Sequence, residues 1–338
     1  MASMLAQHGV KRARQSPEAL KAQKDKETAK LQEYLVLTDD IFTKKKSSDW
    51  SRPAFDLTTR LLNMNAELYT VWNYRRNILT NGIFPASTPE EINGMLSEDL
   101  DMTMVFLRKR PKVYWIWNHR RWCLEHVPDG PVDDTNGWRQ AYWLKELSVI
   151  GKMLDADSRN FLAWDYRRYV LASMPNPPPE ANELAYTTQK IESNFSNFSA
   201  WHQRSKIYTR LWADQLDHQT TKDEEFELVK QAMYVDPNDQ SAWIYHRWLI
   251  GPGDEKVVLD REISVIQELL TVEPDSKWCL ESLVHYKLLL VNKHGEKLTS
   301  DRQQLLDDCR RMLRKLKGID PQRARRYDEL ESKCTASS

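Results

Sequence analysis

The chain has 338 residues, 49 basic against 49 acidic, with 41% hydrophobic residues. This balance argues against a general nucleic-acid binder, which carries a basic excess. No apolar run approaches the roughly 20 residues a membrane span needs, and Met1–Arg14 lack the apolar core of a signal peptide. Cys123, Cys279, Cys309 and Cys334 are scattered without C-x-x-C spacing, which suits reduced thiols in the cytosol better than a disulfide framework.

In chain order, residues 1–30 are polar and charged and read as a mobile segment, either disordered or a frayed helix. Leu31 to Lys46 read as a leading helix. A motif then recurs: Trp72-Asn73-Tyr74-Arg75-Arg76, Trp117-Asn118-His119-Arg120-Arg121 and Trp164-Asp165-Tyr166-Arg167-Arg168, with weaker copies at Trp201-His202-Gln203-Arg204 and Trp243-Ile244-Tyr245-His246-Arg247. Seven residues before each Trp stand Asn65, Arg110, Asp157, Asn194 and Asp236, four of them good helix N-caps, with Pro111 and Pro237 next, at a first helical position. A sixth copy places Glu273-Pro274 ahead of Leu280 and has lost the Trp and both arginines.

Upstream of the motifs, Leu57, Leu61 and Leu62, then Leu144, Leu147, Ile150 and Leu154, then Leu228, Ala232 and Val235 recur at helical steps. Each unit therefore reads as helix, capped turn, helix, and such pairs must stack to bury a core, as in an α-solenoid. Asn81-Gly82 with Pro85 and Pro89, Pro128-Asp129-Gly130-Pro131, the proline run at 175–179 and Gly251-Pro252-Gly253 read as loops between repeats. Residues 301–333 read as one or two closing helices and 334–338 as a tail, so that 31–333 form a single helical-repeat domain.

Trp and the first Arg of each motif lie three residues apart and share a helix face. They read as packing and ion-pair elements between helices rather than as a ligand-binding stripe. His119, Cys123 and His126 share one face and could begin a zinc site. His119, however, fills the slot held by Tyr74, Tyr166 and Tyr245, and no fourth ligand is spaced to complete a site. His8 is read as a tail residue. No phosphate-cradling glycine loop, nucleophile elbow or H-E-x-x-H motif is present, so the chain carries no self-contained active site.

The five W-x-x-R-type copies in register, over about residues 50–290, resemble the protein prenyltransferase α-subunit repeat. Within that family, His8-Gly9-Val10-Lys11-Arg12, the block Asn194 to Trp201 and the block Asp236 to Trp248 resemble the α subunit of the Rab (type II) geranylgeranyltransferase. The resemblance implies an all-α, right-handed superhelix (α-solenoid) of stacked helical hairpins, crescent-shaped, wrapped around a β subunit. That partner would hold the zinc and most of the catalytic groups, so this chain itself holds no metal. The implied reaction joins geranylgeranyl from geranylgeranyl diphosphate to C-terminal cysteines of Rab GTPases presented by an escort protein in the cytoplasm. Cysteine thiolate attacks C1 of the lipid and diphosphate leaves. The family positions that approach the diphosphate correspond here to Lys112 and Tyr114, and a lysine beside a helix N-terminus suits charge building on that leaving group. In the third repeat several members carry a His where this chain has Leu162, so no polar role is assigned there. The fourth-repeat turn, Asn197-Phe198, would face the β subunit. Two other readings remain open from sequence. One is the α subunit shared by farnesyltransferase and type I geranylgeranyltransferase, which typically has a proline-rich tail. The other is a non-enzymatic tetratricopeptide-like scaffold, whose shorter period and small-residue positions this chain lacks.

Overall fold

A computed structural model of the chain describes residues 16–131, 134–213, 219–298 and 301–336. His8 and its neighbours lie outside the described residues. The described residues form fifteen α-helices and no strand. They are α1 (Pro17–Lys46), α2 (Arg52–Met64), α3 (Tyr69–Ile78), α4 (Pro89–Lys109), α5 (Tyr114–Glu125), α6 (Gly137–Ala156), α7 (Phe161–Ser173), α8 (Glu180–Ser193), α9 (Phe198–Ala213), α10 (Gln219–Val235), α11 (Gln240–Ile250), α12 (Lys256–Val272), α13 (Lys277–His294), α14 (Arg302–Ile319) and α15 (Ala324–Ala336). The all-α hairpin repeat expected from the motif spacing is what the chain forms, each motif lying on the second helix of its pair. The contacts divide the chain into two compact units, Met1–Met153 with Leu162–Pro177, and Leu154–Phe161 with Pro178–Ser338.

Three local expectations are corrected. First, the leading helix begins at Pro17, not Leu31, so the polar stretch up to residue 30 is helical from there on. Ser16 caps it by accepting from the Ala19 amide, Pro17 opens it, and Lys44, Lys45 and Lys46 complement its C-terminal dipole. Second, Asn81-Gly82 is no loop. The chain continues from α3 into a π-helical turn, Leu79–Ile83, and a short 3-10 turn, Phe84–Ala86. Gly82 lies so close to Trp50 that an added Cβ would stand 2.1 Å from its carbonyl oxygen, which explains the glycine. Third, Cys334 is not tail. It is buried in α15, in a core with Cys309, Leu313 and Leu316.

The turns between paired helices also differ from expectation. Asn65, Arg110 and Asn194 end the preceding helix instead of starting the next. Their carbonyls, and those of Asp157, Asp236 and Glu273, each accept from the amide three residues on, at 2.9–3.4 Å. The side chains of Asn65, Asp157, Asn194 and Asp236 accept from the amide two residues on, at 3.0–3.2 Å. This is an Asx-supported β-turn, and Pro111, Pro237 and Pro274 occupy its second position, where φ near −65° is required. The same residue types favour an N-cap and a turn, which is why sequence placed the helix starts too early. The Trp indole closes the turn: Nε1 of Trp72, Trp117, Trp201 and Trp243 donates to the carbonyl six residues back, at 2.8–3.0 Å.

Candidate functional site

The repeated Trp and Arg residues form a clamp that links the first repeat to the second, the second to the third, and the fourth to the fifth. Arg75 donates from Nη1 to Thr58 and Thr59 on α2, at 2.8 and 2.7 Å, and reaches both oxygens of Asp99 on α4. Arg120 donates to the Leu100 carbonyl and Thr103 on α4, at 2.6 and 2.7 Å, and pairs bidentately with Glu146 on α6. In the second unit Arg204 donates to Thr187 and Thr188 on α8 and pairs with Glu225 on α10 through two bonds of 2.6 Å. All three pairs are buried. Each acid also takes a bond from the aromatic slot of its own repeat: His119 Nε2 to Asp99 at 2.8 Å, Tyr166 Oη to Glu146 at 2.9 Å, and Tyr245 Oη to Glu225 at 2.5 Å. That slot in turn packs on the Trp of the repeat before, with ring centroids 4.6 Å apart for Trp72–His119, 5.1 Å for Trp117–Tyr166 and 4.7 Å for Trp201–Tyr245.

Sequence reasoning anticipated packing and ion pairing for the arginines but missed the acids. The signal is there. Asp99, Glu146, Glu183, Glu225 and Glu262 each stand eighteen residues before an anchor, at 117, 164, 201, 243 and 280. In the fifth repeat His246 replaces the arginine and sets Nε2 against Glu262 at 2.9 Å and Nδ1 against Tyr286 Oη at 2.8 Å.

Asp99, His119 and Cys123 bring three potential metal ligands within 4.8 Å of one another. His126 does not join them; its Nδ1 lies 2.8 Å from the Trp122 carbonyl. The set does not fit a metal ion. Both Asp99 oxygens are committed to the Arg75 guanidinium, which already supplies the positive charge there. Burial alone would raise the Asp99 carboxyl, but Arg75 and His119 outweigh it and hold the group well below the usual carboxylate range. Burial pushes the Cys123 thiol well up and keeps it protonated. Burial likewise lowers the His119 imidazole, against the pull of Asp99, and so favours its neutral form.

Because the folded Asp99 ionises below its unfolded value of about 3.9, the pair's contribution is complete above that pH and is lost as pH falls below it. Urea unfolding should therefore show the stability gap between the parent chain and Asp99→Asn widest near neutrality and narrowing on acidification below about pH 4. A constant gap would show that the carboxylate charge plays no part.

Lys112 and Tyr114 lie outside the clamp. Lys112 is exposed in the turn between α4 and α5, and Tyr114, 51% exposed, is the first residue of α5. The Tyr114 ring meets Trp115 edge-on at 5.3 Å, and Trp115 lies 5.2 Å from Tyr69, the first residue of α3. No side chain caps α3 or α5, whose N-cap residues are Leu68 and Val113. By contrast Asp239 caps α11 and Ser276 caps α13. The start of α5 thus presents first-turn N–H groups and the positive end of its dipole beside an exposed lysine, an arrangement suited to an anion. Phe161 and Phe198 occupy the Tyr114 register and are exposed, whereas Leu162 and Asn197 are buried. Asn197 caps α9, its Oδ1 accepting from the Ala200 amide at 3.3 Å.

The protein prenyltransferase alpha subunit repeat matches this chain at residues 52–82, 96–127, 143–174, 180–211 and 222–251. The geranylgeranyl transferase type-2 subunit alpha of Schizosaccharomyces pombe is 38% identical, over 96% of this chain and 98% of that protein. Its counterpart from Candida albicans is 32% identical, over 95% and 96%. The Homo sapiens counterpart is 34% identical over 84% of this chain but only 49% of its own length. Among solved structures, Candida albicans protein geranylgeranyltransferase-I complexed with GGPP aligns with a TM-score of 0.69 at 23% identity, over 90% of this chain and 91% of that one, and shares the fold. These relatives set aside the tetratricopeptide and farnesyltransferase readings, and the chain belongs to the family of geranylgeranyl transferase type-2 alpha subunits.

Proposed function

We propose that this chain works as one half of a heterodimer that transfers geranylgeranyl from geranylgeranyl diphosphate to C-terminal cysteines of Rab GTPases, presented by an escort protein in the cytoplasm. The observation that carries the reading is identity of 38% and 32% to two type-2 alpha subunits over nearly the full length of both partners in each alignment. The clamp residues are consumed in holding repeats together, which fits a subunit that positions a partner. In this reading the β subunit holds the zinc, since the one three-ligand cluster among the described residues is occupied by Arg75. No helix of the described residues is long and apolar enough to cross a membrane.

Lys112 and Tyr114 are the residues of this chain that meet the reacting lipid in this proposal. As the bond from C1 to the diphosphate oxygen breaks, negative charge grows on the leaving group. A lysine at the uncapped start of α5 opposes that charge with its ammonium and with the helix dipole. The Tyr114 hydroxyl, on the first residue of the same helix, can donate to a phosphate oxygen.

The test is co-expression with a type-2 β subunit. A stable complex that transfers geranylgeranyl to an escort-bound Rab is the expected result. Failure to assemble, or assembly without transfer, would sink the proposal.

A further inference from the structure

The second unit holds a cavity of about 70 Å³ among α11, α13, α14 and α15. Its floor is apolar and buried, formed by Val284, Leu313 and Leu316. Its rim carries Arg247, His285 and Arg326, of which Arg326 is exposed and marks the opening to solvent.

The charge at this rim is not compensated. In the second and third motifs the second arginine finds an acid, Arg121 and Arg168 both pairing with Asp165, whereas Arg76 of the first bonds the Asn73 amide oxygen. In the fifth repeat Ile244 replaces the same-helix acid, Glu281 stands at the position from which Asp165 answers Arg121, and Arg247 forms no ion pair among the described residues. Its Nε is buried without a hydrogen-bond partner there. Arg326 likewise forms no ion pair among the described residues. The acid at the rim, Glu281, is already committed, accepting from Tyr327 Oη at 2.6 Å and pairing with Arg323 at 3.4 Å. His285 feels the excess: burial first, then Arg247 and Arg326, push its imidazole down to about 4, so it is neutral and adds no charge of its own at pH 7.

Arg247 is half-buried with its Nε left unsatisfied, and a carboxylate is the partner that a guanidinium fork accepts bidentately. We propose that this cavity is a binding site for a small carboxylate with a short apolar chain, its head between Arg247 and Arg326 and its tail on Leu313 and Leu316. The volume sets the length. An apolar cavity of about 150 Å³ accommodates the six carbons of benzene, so one of about 70 Å³ takes a tail of two or three carbons and no long lipid. Nothing in this proposal depends on the transferase activity.

Titration of the full chain with butanoate, acetate and inorganic phosphate, followed by calorimetry, tests it. Butanoate should bind more tightly than acetate, about three- to fourfold for each methylene buried at ~0.8 kcal/mol. Arg326→Glu, at an exposed position, should weaken butanoate tenfold or more without lowering the melting temperature. Arg247→Gln should do the same, and circular dichroism establishes that each variant is folded. Phosphate binding as well as butanoate, affinity unchanged in Arg326→Glu, or no heat with any of the three would each overturn the proposal.

Discussion

Arg120→Ala should destabilise the chain by about 3–5 kcal/mol, the cost of leaving one partner of a buried ion pair alone. Arg120 and Glu146 are each 1% exposed, and Arg120 also satisfies the Leu100 carbonyl and the Thr103 hydroxyl. Its removal leaves Glu146 a buried charge that keeps the Tyr166 hydroxyl but has lost its cation. The sign is testable by contrast. Replacing both members, Arg120→Met with Glu146→Leu, removes the uncompensated charge and should recover part of the loss, although Tyr166 then lacks its acceptor. Chemical denaturation of the single and double variants measures this directly. A loss below ~1 kcal/mol for Arg120→Ala, the scale of a surface pair, would mean that the clamp is not what holds neighbouring repeats together.

The second large effect concerns catalysis and rests on the proposed function. Lys112→Ala should lower the single-turnover rate of prenyl transfer by about 10²-fold, the scale of one electrostatic contact to a developing charge. Assembly with the β subunit and folding should be unchanged, because Lys112 is exposed in a turn and outside the buried clamp. Lys112→Arg, which keeps the charge, should retain most of the rate. An unchanged rate in Lys112→Ala would remove this residue from the reaction. A rate loss that tracks a loss of heterodimer on gel filtration would make its role one of assembly instead.

What was legible in the sequence was what repeats locally. Trp at a fixed place on the second helix, with apolar residues at helical steps before it, gave the hairpins and their register. Helix ends were harder. Asn65 and Asp236 satisfy the chain equally well as a helix start or as a turn, and only the tertiary demand of the Trp indole for a carbonyl six residues back decides between them. The π turn at Leu79–Ile83 could not be read, because Asn81-Gly82 reads as a loop signal and the reason for Gly82, the close approach of Trp50, lies outside the segment. The acids of the clamp sit on a different helix from the motif, so a reading confined to each motif did not reach them. For the same reason the cationic rim went unseen: Arg247 belongs to the motif, but His285 and Arg326 come from helices that sequence placed only loosely. Lys112 was reachable only by resemblance, since an exposed lysine in a turn has no local signature.

The constant eighteen-residue interval gives the array a direction of growth. The second repeat shows both ends of the link: Asp99 answers Arg75 of the repeat before, and Arg120 reaches Glu146 of the repeat after. A copy of that repeat inserted in tandem therefore arrives with both complementary ends already matched. The first motif shows the boundary condition. The position eighteen residues before Trp72 is occupied by Ala54, buried and without charge. A lone acid there would be an unanswered half-link, and its absence records the polarity by which the row of repeats is read.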